Sequence, residues 1–279
     1  MDIDEGPFAS FEPDGPRNDD GAEGKRRLRD IQLRFVVPNI ITVLAICAGM
    51  TGVRLAFEDR FDTAVAMVLL AAFLDGLDGR VARLVKGSSK FGAEMDSLAD
   101  IVNFGVAPAL VLYAFVLNAA GSLGWIAALL YAIACGLRLA RFNVMMENRD
   151  RPQWQAAFFT GVPAPAGALL VLLPVYLGFL GIKPDLHYAS VVSVYTLVIA
   201  FLMVSSLPVW SGKTLGAKIP RAVVIPVILG VVLYVALLAT YTWQTMTFTA
   251  VAYIALLPIS LRMWRKRAAQ EMKKKQTAA

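Results

Sequence analysis

Asp75-Gly76-Leu77-Asp78-Gly79-Arg80-Val81-Ala82-Arg83 and, after a short gap, Gly92-Ala93-Glu94-Met95-Asp96-Ser97-Leu98-Ala99-Asp100 decide the fold. The sequence on either side is apolar enough to cross a bilayer, so these acids fall where ionised groups are costly. Asp75 and Asp78 are i and i+3 on one helix face; Asp96 and Asp100 are i and i+4 on another. Between the pairs, Lys86-Gly87-Ser88-Ser89-Lys90 is a polar break with a glycine, suited to a tight helix–helix turn. In an antiparallel hairpin centred there, Asp75 lies level with Asp100 and Asp78 with Asp96. The carboxylates then face one another about 15 Å from the turn, at ~1.5 Å of rise per residue.

Carboxylates that close cannot all ionise unless cations join them. Two hard divalent ions, Mg2+ or Mn2+, would neutralise the cluster and take their remaining ligands from water and substrate phosphates. Gly76, Gly79, Ala82 and Gly92 leave room beside the acids, and Arg83 adds a planar donor suited to phosphate. Cations, phosphate and a cleft together point to phosphoryl-type transfer, in which positioning and charge neutralisation do most of the work.

Composition agrees with a membrane setting. The chain has 279 residues, is 57% hydrophobic and has mean hydropathy +0.60. With several apolar runs near the length of a bilayer span, this is the profile of an all-α, polytopic transmembrane bundle. The net charge of +6 reflects the positive-inside bias and anionic lipid headgroups, not a nucleic-acid partner. Cys47 and Cys135 fall in apolar spans and read as small core residues.

About eight spans are expected, near residues 36–57, 63–83, 92–117, 123–142, 156–180, 188–209, 222–241 and 246–261. Residues 1–30 are rich in Asp, Glu, Gly and Pro and read as a disordered tail. Residues 31–264 form the membrane domain, and residues 265–279 a basic tail. With the N-terminus inside, most Lys and Arg face the cytoplasm, including Lys25-Arg26-Arg27-Leu28-Arg29, and an even span number returns the C-terminus there. Both termini and the acidic cluster are therefore expected on the cytoplasmic side of the inner membrane. The acidic motif has no second copy, which weighs against an inverted-repeat, cation-coupled transporter.

The acidic stretch resembles the motif of the CDP-alcohol phosphotransferase family, D-x-x-D-G-x-x-A-R-x8-G-x-x-x-D-x-x-x-D. Asp75, Asp78, Gly79, Ala82, Arg83, Gly92, Asp96 and Asp100 match it without a gap. The resemblance implies that a CDP-linked lipid, CDP-diacylglycerol, gives its phosphatidyl group to an alcohol and CMP leaves. It implies that Asp75, Asp78 and Asp96 hold one cation, that Asp75, Asp96 and Asp100 share a second, and that Asp100 is the general base. It also assigns the nucleotide portion to Asp75, Gly76, Asp78, Gly79, Ala82, Arg83 and Gly92, and implies a homodimer.

Within the family, Asp100 to Ala109, Arg138-Leu139-Ala140-Arg141-Phe142-Asn143, Phe159 to Ala166 and Leu202-Met203-Val204-Ser205-Ser206 resemble members that use L-serine. Glycerol 3-phosphate or an inositol phosphate is the alternative acceptor and would call for more cations around its site. Serine carries a carboxylate, so its pocket should hold a cation. Arg138 and Arg141, i and i+3 at the end of the fourth span, and Lys213, after the sixth, are the candidates. Ordinary positive-inside charge is the competing explanation for all of them. Asn103, one turn beyond Asp100, is a candidate to hydrogen-bond the acceptor or to make a helix–helix contact.

Overall fold

The computed structural model describes residues 33–84, 90–147, 158–210 and 221–278. The expected N-terminal tail, Lys25-Arg26-Arg27-Leu28-Arg29, most of the 86–90 turn, and Lys213 lie outside the described residues. Helices α1 (Leu33–Phe57), α2 (Phe61–Leu84) and α3 (Lys90–Asp100) open the chain. A π-helical turn, Ile101–Val106, links α3 to α4 (Ala107–Phe115), and a 3-10 turn, Leu117–Ala120, leads to α5 (Ser122–Glu147). After strand β1 (Phe158–Thr160) come α6 (Ala164–Val171), α7 (Leu173–Phe179) and α8 (Leu186–Val204). Strand β2 (Pro208–Trp210), α9 (Arg221–Thr240) and α10 (Thr242–Ala278) complete the order.

Among the described residues, five helical stretches are long and apolar enough to cross a membrane: Val36–Phe57, Phe91–Phe115, Ser122–Met145, Leu186–Val204 and Thr242–Trp264. Ala164–Phe179 and Val224–Thr240 are shorter apolar helices. Helix α2 is as long as a span, but Asp75, Asp78, Arg80 and Arg83 make its second half polar. The motif itself therefore removes α2 from the apolar class.

The all-helical expectation needs one correction. Residues 158–160, expected to begin the fifth span, are a strand, and residues 208–210, near the end of the sixth, are its antiparallel partner. Phe158 pairs with Trp210, Phe159 with Val209 and Thr160 with Pro208. The cause is local. Proline disfavours helical backbone in the residue before it, so Pro163 keeps Val162 out of a helix. Helix α6 begins only at Ala164, with Pro165 in its first turn, where proline is tolerated. Gly161, at φ +75°, turns the chain where a side chain would meet the Met203 carbonyl. Ser260 of α10 donates to the Pro208 carbonyl at 2.9 Å and fastens the ribbon to the last helix. The last helix continues to Ala278, well past the expected span end, so the basic segment extends α10.

The core lies where α4, α5, α6, α7 and α8 meet. Phe104, Leu112, Tyr131, Leu170, Tyr176, Ile199 and Met203 are all fully buried there. A buried tyrosine is tolerable where its hydroxyl reaches a backbone carbonyl, as for Tyr131 and Tyr195, whereas the Tyr176 hydroxyl has no partner among the described residues. Tyr131 donates to Phe104 at 2.9 Å and the half-buried Tyr195 to Leu170 at 2.6 Å.

The expected acid-bearing hairpin is also modified. Helices α2 and α3 touch only sparingly, while α1 packs along α2 and also meets α3, the π-helical turn and α4. The acids are thus brought together on a three-helix framework rather than across a simple pair.

Candidate metal and phosphate site

The motif acids converge as their spacing predicts. Asp75, Asp78 and Asp96 each offer a carboxylate oxygen, and these atoms all lie within 4.8 Å of one another. Asp100 joins the group through Asp75, to which it lies close enough for the two carboxyl groups to interact. Asp75 is therefore the shared member, between the Asp78/Asp96 side and Asp100.

Two neighbouring helices, α1 and α5, hold these side chains in place. From α1, Thr42 donates its hydroxyl to Asp78 Oδ2 at 2.7 Å, with the Pro38 carbonyl, 3.1 Å away, as its alternative acceptor. From α5, Asn143 donates to Ser97 Oγ at 3.0 Å, fixing α3 between Asp96 and Asp100. Tyr131, also on α5, holds the Phe104 carbonyl in the π-helical turn that follows Asp100. A π-helical turn shifts the register of the side chains around it, and such turns cluster at functional sites.

A cleft of about 230 Å³ opens beside the acids. Helix α1 contributes Pro38, Asn39 and Thr42 to its wall; α2 contributes Asp78, Gly79, Ala82 and Arg83; α3 contributes Gly92, Ala93 and Asp96. A Cβ added at Gly76 or Gly79 would meet nothing within 4 Å, so these glycines do leave open space. Arg83 donates its Nε to the Gly79 carbonyl at 2.9 Å, which orients the guanidinium along the cleft wall.

The donor set fits a hard divalent cation. Asp75 Oδ1 and Asp78 Oδ1 are buried and have no hydrogen-bond partner among the described residues. Buried carboxylate oxygens without donors are costly alone and are the ligands such cations take.

The acceptor-side candidates separate. Arg138 is buried, within electrostatic range of Asp100, and its guanidinium lies 5.6 Å from the centre of the Phe142 ring. Arg141 instead donates to the Val204 and Ser205 carbonyls, where α8 ends with unpaired acceptors. Asn103 is fully buried against Gly49 of α1, with its amide unpaired among the described residues. Sequence reasoning missed Thr42 and Tyr131. Asn39 and Thr42, a polar i, i+3 pair in an apolar span, were the available signal for the first; nothing local marks the second.

Comparison with known proteins agrees with this geometry. The family model described as CDP-alcohol phosphatidyltransferase matches residues 35–204, from α1 to the end of α8. The chain belongs to the CDP-alcohol phosphatidyltransferase family. A second model, CDP-alcohol phosphatidyltransferase 2, matches residues 222–258 in α9 and α10. The chain is 41% identical over 221 residues to the CDP-diacylglycerol–serine O-phosphatidyltransferase of Mycobacterium leprae, covering 77% of this chain and 71% of that protein. It is 38% identical over 247 residues to the protein of the same name from Mycobacterium bovis, covering 86% and 82%. It is 33% identical over 173 residues to the one from Methanocaldococcus jannaschii, covering 62% and 73%. Membership together with the five apolar helices makes this an integral membrane protein. All eight motif positions lie within the matched region, so the acidic cluster and its cleft belong to the CDP-alcohol phosphatidyltransferase part of the chain.

Proposed function

We propose that the protein transfers the phosphatidyl group of CDP-diacylglycerol to L-serine, giving phosphatidylserine and CMP. The observation that carries this reading is the convergence of Asp75, Asp78 and Asp96 beside a cleft walled by Gly79, Ala82 and Arg83. The relatives named for serine support the choice of acceptor.

In this reading Asp75, Asp78 and Asp96 hold one divalent cation, Mg2+ or Mn2+, and Asp75, Asp96 and Asp100 share a second. When bound, the cations neutralise the diphosphate and the charge that develops on the departing CMP. Gly79 and Ala82 let the nucleotide approach the α2 backbone, and Arg83 donates to its phosphate. Asp100 takes the proton of the serine hydroxyl as that oxygen attacks the phosphorus of the phosphatidyl group. The new bond joins serine oxygen to phosphorus, the bond from phosphorus to the CMP oxygen breaks, and no covalent enzyme intermediate is needed. Asn103 and Arg138 stand on the acceptor side, next to Asp100. Arg141 is engaged with the end of α8, so its part there is to shape the pocket.

The same reading takes α2, the α6–α7 pair and α9 as additional spans, for eight in all within a membrane domain of residues 31–264. Both termini and the cleft then face the cytoplasm across the inner membrane. Lys213, which comes after β2 in the sequence, is kept in this reading as a candidate cation for the acceptor. A homodimer is the assembly the family resemblance implies.

The test is an acceptor assay. Purified protein with Mn2+ or Mg2+ should release CMP from CDP-diacylglycerol when L-serine is supplied. Turnover with glycerol 3-phosphate or inositol phosphate, and none with serine, would replace the acceptor and keep the reaction class.

A further inference from the structure

Arg138 is only 8% exposed, and its Nε has no hydrogen-bond partner among the described residues. Among those residues it makes no ion pair either. A buried guanidinium without an anion is strongly unfavourable. The nearest acid it acts on, Asp100, is engaged with Asp75. A second unpaired group stands close by. Tyr253 of α10 has a buried hydroxyl without a partner among the described residues, and it lies within electrostatic range of Arg138. Neither residue lines the cleft that holds Gly79, Ala82 and Arg83. Two helices distant in sequence, α5 and α10, thus each carry an unsatisfied buried hydrogen-bond donor within electrostatic range of the other, and Arg138 is also within range of Asp100.

We infer that Arg138 and Tyr253 form the subsite for the carboxylate of an amino-acid acceptor, with Tyr253 as a specificity-determining residue supplied by the last helix. The inference rests on the serine reading above. A carboxylate offers the two acceptor oxygens that a guanidinium and a phenol can share. Its negative charge compensates the buried cation, and an acceptor held there presents its hydroxyl toward Asp100. An alcohol without a carboxylate would leave Arg138 uncompensated, and rejection of a substrate that leaves buried polar groups unpaired is strong.

The experiment uses the full chain in detergent with Mn2+ and CDP-diacylglycerol, and compares wild type with Tyr253→Phe and Arg138→Lys. Tyr253→Phe preserves ring volume, so its melting temperature should stay near wild type. Its KM for L-serine should rise about 10-fold, the size expected for losing one hydrogen bond to a charged group. Its KM for CDP-diacylglycerol should not move. With serinol, which lacks the carboxylate, wild type should be poor and Tyr253→Phe no worse. Arg138→Lys should lose the thermal stabilisation that L-serine gives wild type. An unchanged serine KM in Tyr253→Phe, or an equal loss with serinol, overturns the subsite while leaving the reaction intact. A wild type that uses serinol and not serine overturns the serine reading and the subsite with it.

Discussion

Thr42 Oγ1 donates to Asp78 Oδ2 at 2.7 Å, tying the first helix to an acid 36 positions further along the chain. The bond engages one oxygen of Asp78 and leaves Oδ1, buried and without a donor among the described residues, for a cation. Partners of this kind orient a ligand, and their loss typically costs 10–100-fold in metal affinity. Thr42→Val keeps the shape and removes the donor. Mn2+ affinity, followed by titrating the free-ion EPR signal, should fall about 10-fold. Unchanged affinity would mean that Asp78 is oriented by its backbone alone.

Charge repulsion within the cluster gives a second prediction with two opposite signs. Without metal, Asp75, Asp78 and Asp96 crowd like charges together, so Asp96→Asn should raise the melting temperature of EDTA-treated protein. Mn2+ stabilises whichever form binds it, so it should raise the wild-type melting temperature by several degrees and do little for Asp96→Asn. The two curves should therefore cross as Mn2+ is added. Parallel curves would separate this cluster from metal binding.

A third prediction concerns Asp100, whose carboxyl group interacts with that of Asp75 but which lies outside the tightest carboxylate group. Asp100→Asn keeps a neutral oxygen for a ligand and cannot accept the serine proton. Turnover should drop by roughly 10²-fold or more, the usual share of a general base. CMP binding, measured by equilibrium dialysis, should remain within a few-fold of wild type. A variant with full turnover would place the base elsewhere.

The acidic motif was legible because helical spacing fixes both the face and the depth of a side chain. Asp75, Asp78, Asp96 and Asp100 met as that spacing required. Thr42 was not, since a threonine in an apolar span ordinarily bonds its own helix, as Ser193 and Thr196 do. The π-helical turn at 101–106 was not legible either. It is contacted by Tyr131, whose hydroxyl reaches the Phe104 carbonyl across 27 residues. The ribbon of β1 and β2 hid inside apolar runs that fit a buried helix equally well, and only Gly161, Pro163 and Pro208 argued otherwise. Spacing within and between two sequence-adjacent helices was readable, whereas pairings between elements distant in sequence were not.

The last prediction sets two glycines against each other. At Gly49, an added methyl would fall on the Asn103 amide oxygen, with the Ala107 side chain 3.8 Å away behind it. Either the Asn103 amide or helix α1 has to give way, and overpacking of this kind costs about 1–3 kcal/mol. Gly49→Ala should lower the melting temperature and, through Asn103, disturb Asp100. At Gly79 the added methyl meets nothing within 4 Å. Replacing glycine by alanine inside a helix gains up to about 1 kcal/mol, so Gly79→Ala should melt slightly higher than wild type. The same methyl narrows the cleft beside Asp78, and the KM for CDP-diacylglycerol should rise several-fold. Thermal unfolding and lipid-substrate kinetics on the two variants decide the matter: a more stable Gly79→Ala with unchanged KM would show that the nucleotide does not approach α2 at this glycine.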